Sequence, residues 1–103
     1  MTRSRRAAFG DLVARQLALF AADHRELLAD CEAARLAYRK AQAGEAEERY
    51  GDYLDLVDAG REALEEIRDA FATTLAGDAA AEYRLVFADA ARRVFPELAL
   101  ELD

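Results

Sequence analysis

Tryptophan is absent from this sequence, and cysteine, histidine, proline, methionine and lysine occur once each. A single cysteine, Cys31, rules out an intramolecular disulfide and every multi-cysteine metal site. The lone histidine, His24, lies seven residues from Cys31. That spacing puts the two on one helix face but about 10 Å apart along the axis, too far to share a metal at bonds of about 2 Å. Strand formers are scarce as well: four Val, one Ile and three Thr stand against twenty-five Ala. Ala has the highest helix propensity and strands are filled mainly by β-branched residues, so the composition specifies an all-α fold. No apolar run is long enough to cross a bilayer, and Asp11 and Arg15 interrupt the segment behind the basic opening residues. The expectation is a soluble, cytoplasmic protein without a membrane partner.

Charge is abundant and mostly negative, with a net value of -7. By segment, residues 1–43 carry about +3, residues 44–76 about −7 and residues 77–103 about −3, so the first two segments are electrostatically matched. The acidic balance argues against a nucleic-acid groove, which needs a basic footprint. At 103 residues the chain is one domain with a modest core.

The organising stretch is residues 45–76. Tyr50, Val57, Leu64 and Phe71 recur at one heptad position, with Tyr53 and Ile67 at the other, the seam of a long amphipathic helix. Upstream, Val13, Phe20, Leu27, Ala34 and Ala41 repeat every seven residues, interleaved with Leu17, His24, Cys31 and Tyr38. The pattern predicts one helix over 7–42 behind a frayed arm at 1–6; Asp23 and Glu26 offer a capping pair for a break that the unbroken register does not require. Gly44 supplies a stop in the left-handed cap conformation, and the Ala41–Tyr50 spacing breaks the heptad there, so the chain turns back.

Gly60 falls on the seam opposite Leu27, leaving a hole that admits a bulky side chain. Gly77 ends the second helix and Asp78 caps a third over 78–94, with Tyr83, Phe87, Ala90 and Val94 facing inward. In the tail, 96–103, Leu98, Leu100 and Leu102 alternate like a strand, while Pro96 equally suits the start of a last helical turn. Tyr38, Tyr50 and Tyr53 gather at the hairpin end, a position that Tyr83 could join. The resulting fold is an antiparallel long hairpin with a shorter third helix, a three-helix bundle.

Glu45-x-x-Glu48 is followed by Glu66-x-x-Asp69, a spacing similar to the paired acidic motifs of the all-α nucleoside triphosphate pyrophosphohydrolases. The resemblance implies a metal-dependent enzyme that holds magnesium with Glu45, Glu48, Glu66 and Asp69. In that family the motifs lie on neighbouring helices, whereas on one helix Glu48 and Asp69 stand about 30 Å apart. Glu48, Asp55, Glu62 and Asp69 also form one heptad row opposite the apolar seam, where a solvated face belongs. No nucleophile–base pair and no phosphate cradle can be assembled from the remaining residues. The leading expectation is therefore a non-enzymatic helical interaction or scaffold module without catalytic residues, metal or cofactor. A hairpin only half covered by its third helix leaves apolar surface open, which points to a homodimer burying Phe9, Leu12, Leu19 and Leu28. Asp55, Asp58 and Glu62 present an acidic face to a further protein partner.

Overall fold

The computed structural model describes residues 3–102, which form four α-helices and no strand. They are α1 (Arg5–Asp23), α2 (Arg25–Lys40), α3 (Ala46–Ala72) and α4 (Gly77–Val94). The first of them begins two residues earlier than the apolar pattern indicates. Ser4 is the reason: its side chain accepts a hydrogen bond from the Ala7 amide at 3.1 Å, satisfying one of the free donors of the first turn. Arg3 also pairs with Asp11, and Arg5, already within α1, with Glu82 at 2.7 Å. Met1, Thr2 and Asp103, the outer parts of the expected arm and tail, lie outside the described residues.

The single helix expected over 7–42 is two. His24 leaves helical geometry at φ −113°, ψ 31°, while backbone bonds bridge it on both sides, from the His24 amide to the Phe20 carbonyl and from the Leu28 amide to the His24 carbonyl. No side-chain cap bond forms at the start of α2, so the Asp23–Glu26 pair does not cause the bend. Packing supplies the cause. Helix α1 lies along α4, whereas α2 lies along α3, and one straight rod cannot follow both partners.

The turn after α2 also differs from expectation. Gly77 is the only described residue with positive φ, so Gly44 provides no left-handed cap. Ala41 instead adopts extended geometry, and the Glu45 and Ala46 amides bond to the Gln42 carbonyl. Helix α3 runs unbroken through Gly51 and Gly60 and stops at Ala72, where Thr73 and Thr74 turn their hydroxyls back onto the Ala70 and Phe71 carbonyls. Helix α4 starts at Gly77, ahead of Asp78, which makes no capping bond.

The core is built at the α1–α4 end. Phe9, Val13, Leu17 and Phe20 form one stripe of α1 and meet Leu64 and Ala72 of α3 and Tyr83, Phe87 and Ala91 of α4. Tyr83 is wholly buried: Phe9 and Phe71 contact its ring, and its hydroxyl donates to Gln16 Oε1 at 2.8 Å. It takes no part in the tyrosine cluster of the hairpin end. Val94, expected to face inward, is more than half exposed because α4 ends there.

The chain after α4 neither pairs as a strand nor continues the helix. It makes one turn, closed by a bond from the Ala99 amide to the Phe95 carbonyl, that drops Leu98, Ala99 and Leu102 into the core and leaves Leu100 outside. Arg92 pins its end by donating to the Leu102 carbonyl at 2.6 Å. Leu98 fills the hole at Gly60: a Cβ built there would lie 2.7 Å from Leu98 Cδ2. The gap inferred from the seam is real, and the tail occupies it.

A double-mutant cycle tests this seating. Leu98→Ala is expected to destabilise by about 2–4 kcal/mol in urea unfolding. In that background Gly60→Ala should stabilise by about 1 kcal/mol through helix propensity, whereas in the parent chain the displaced leucine cancels most of the gain. Equal effects of Gly60→Ala in both backgrounds would show that the tail does not sit on α3.

Candidate functional site

Helix α3 carries nine carboxylates against three arginines, and as one unbroken helix it decides where the acidic motifs stand. Glu48 lies in its first turn and Glu66 eighteen residues on, about 27 Å apart at 1.5 Å per residue. Asp69 is already engaged. Its Oδ1 accepts from Arg68 Nε at 2.9 Å and from Arg84 Nη1 at 2.8 Å. The bond from Arg68 and then that from Arg84 hold its carboxyl below the ordinary aspartate range, and two guanidinium charges beside it oppose a cation. Among the described residues no group of three or more His, Cys, Asp or Glu side chains converges as a metal site would require.

His24 and Cys31 stay separate as well. The imidazole packs against Phe20 as a tilted pair with ring centroids 4.8 Å apart, and burial pushes the Cys31 thiol up, the behaviour of an apolar filler rather than a nucleophile. Several concavities remain. A cleft of about 120 Å³ near Cys31, bounded by Tyr53, Val57 and Leu98, is smaller than a typical ligand pocket. A groove of about 450 Å³ between α1 and α4 is floored by Gly10, Ala14, Ala18 and Ala21, with Arg93 the one charged residue in its wall.

Of the four residues expected at a dimer contact, the fold leaves one widely open. Phe9 packs edge-on against Tyr83 with ring centroids 5.6 Å apart and is spent on the chain's own core. Leu12 and Leu28 are partly buried against that core, and only Leu19, 63% exposed, stands open. Asp55, Asp58 and Glu62 are all exposed on α3, but Asp58 accepts from Arg61 at 2.8 Å, which leaves Asp55 and Glu62 as the outward acidic row with Glu48.

A different surface emerges from the geometry. Beyond the tail, α2 and α3 continue as a two-helix arm in a molecule measuring 59 × 22 × 18 Å. Tyr38 and Tyr50 meet near the tip as a tilted pair with ring centroids 5.0 Å apart, each about two-fifths exposed. Tyr50, Tyr53, Leu54 and Val57 line a cleft whose opposite wall is the tail, including Leu100, which is 73% exposed. Sequence reasoning found the tyrosines by their spacing. Leu54 and Leu100 escaped it because Leu54 lies just off the seam and the course of the tail was open.

Asp69 offers a pH test. Its folded-state carboxyl is more acidic than in the unfolded chain, so its contribution is present above the unfolded value and lost as pH falls through the folded one. The group is half exposed, which limits the effect. Asp69→Asn should cost less than about 1 kcal/mol near neutrality, and the parent and variant unfolding curves should converge under acid conditions. A gap that persists in acid would assign the loss to packing instead. Comparison with protein families, curated proteins and solved structures returned no match.

Proposed function

We propose that this chain is a helical protein–protein interaction module and not an enzyme. The observation that carries this reading is the α2–α3 arm, where Tyr38, Tyr50 and Leu54 are each more than a third exposed with no further helix of the chain laid over them. Apolar side chains rimmed by charge are what a partner buries at the centre of an interface, and tyrosine suits such a position with its large ring and polar tip. The outward row of Glu48, Asp55 and Glu62 adds an acidic flank that favours a basic partner surface and speeds encounter. The metal-dependent pyrophosphohydrolase reading is disfavoured because α3 holds its carboxylate pairs at opposite ends and Arg68 and Arg84 occupy Asp69.

Two measurements test the proposal. Crosslinked, affinity-tagged protein recovered from its source cells should carry a reproducible partner set that Leu54→Arg removes, and that Asp55→Lys with Glu62→Lys depletes most strongly at low salt. A partner set indifferent to all three substitutions would refute the assigned surface. In parallel, incubation with nucleoside triphosphates and millimolar magnesium should leave them intact. Pyrophosphate release that vanishes in a Glu66→Gln, Asp69→Asn variant would replace the module by the enzyme.

A further inference from the structure

The cleft between α3 and the tail has the form of a helix seat. Its α3 wall is the stripe Tyr50, Leu54, Val57 and Arg61, spaced four, three and four residues apart, which puts them on one face over about 16 Å of axis. The opposite wall is the turn of the tail, where Leu98 is sunk into the core while Glu97, Leu100 and Glu101 stand exposed. At about 250 Å³ the cleft is below the range of a typical small-molecule site, and its apolar lips are exposed, so it suits side chains presented by a larger partner.

Charge selects the partner. Asp58, Glu97 and Glu101 line the cleft against a single cation, Arg61. Arg61 is already shared: it donates to Asp58 at 2.8 Å and lies 3.6 Å from Glu65. Neither the Glu97 nor the Glu101 side chain makes a hydrogen bond or ion pair with another described residue. Arg35, close enough to Glu97 for their charges to interact, gives two bonds to Glu32, and Arg92 donates to the Leu102 carbonyl. The rings of Tyr50 and Tyr53 in the same lining add a preference of the same sign, since aromatic faces attract ammonium and guanidinium groups.

Backbone chemistry selects the form of that partner. Helix α3 spends its amides and carbonyls on its own turns, so this wall offers no edge to an extended strand, whereas a helix arrives with its backbone already satisfied. A second copy of this chain is a poor occupant. Its net charge is -7, and its N-terminal arginines are committed, Arg3 to Asp11, Arg5 to Glu82 and Arg6 to Asp89.

We infer that the cleft seats a basic amphipathic helix of a partner protein. Apolar residues one turn apart lie on Leu54 and Leu100, and Lys or Arg on the adjoining flank meets Glu97 and Glu101. The inference rests on the interaction-module reading and names the class of segment the module takes. It also gives the tail a second role, because the turn that fills the gap at Gly60 supplies the acidic lip of the site.

The probe is a displayed library of helices of about 18 residues, with leucines at i, i+4 and i+7 and the flanking positions randomised among Lys, Gln and Glu. Selection on the full chain in about 0.15 M salt should enrich Lys on one flank. The selected peptide should bind about tenfold or more weakly to Glu97→Lys with Glu101→Lys, and its counterpart with Glu in place of Lys should bind that variant instead. Leu54→Arg should abolish binding of the selected peptide. Glu26→Lys with Glu66→Lys, the same change of net charge away from the cleft, should cost less than about twofold. Circular dichroism confirms that each variant stays folded. Enrichment of Gln or Glu, no enrichment at all, or an equal loss in the control variant would overturn the inference. So would a dimer in sedimentation at about 100 µM that the peptide does not dissociate, which would assign the cleft to a second copy. The module reading fails separately: a partner captured from source cells that reaches Leu54 through a segment without basic residues would preserve the module and refute the basic helix.

Discussion

The rest of the structure depends on the commitment of α4 to α1. Phe9, Val13, Leu17 and Phe20 form a stripe that Tyr83, Phe87 and Ala91 complete, and Tyr83 alone brings its ring against Phe9 and Phe71 while its hydroxyl finds Gln16. Burying large aromatic side chains of this kind removes much apolar area per residue from water. Because α4 has only eighteen residues, it covers α1 and the end of α3 and nothing further. The bend at His24, the uncovered arm and the role of the tail all follow from that limit.

The tail compensates in part. By lowering Leu98 into the gap at Gly60 and anchoring its end through Arg92, it extends the core by one layer past the end of α4. A side chain on Gly60 would deny that space, which explains a glycine in a helix interior despite its cost of about 1 kcal/mol relative to alanine. Beyond Leu98 two helices share one interface, and two helices alone cannot bury both of their apolar flanks. The half-open tyrosines and leucines of the arm are the physical result, and a second layer of helices is the general solution to such exposure.

Electrostatics divides the same surface into two parts. The face beside the tail mixes acids and bases, whereas the outward row of Glu48, Asp55 and Glu62 bears one sign. A uniformly acidic row repels a second acidic surface and attracts a basic one.

Composition and periodicity by themselves determined the helical class, the hairpin turn between Tyr38 and Tyr50, the burial of Val13, Leu17 and Phe20 along α1 and the hole at Gly60. Each is a local property, readable from propensity or from residues one heptad apart. The break at His24, the occupant of the Gly60 hole, the burial of Phe9 and the pairing of Asp69 with Arg84 were decided only in three dimensions. Those features depend on which helix lies beside which. Along the first two helices the heptad pattern keeps one register through His24, so it marks the apolar face without saying that the partner changes from α4 to α3. The same reason separates Phe9 from Leu54: both are apolar positions at the margin of a seam, and only the placement of the fourth helix determines which one is buried and which is left exposed.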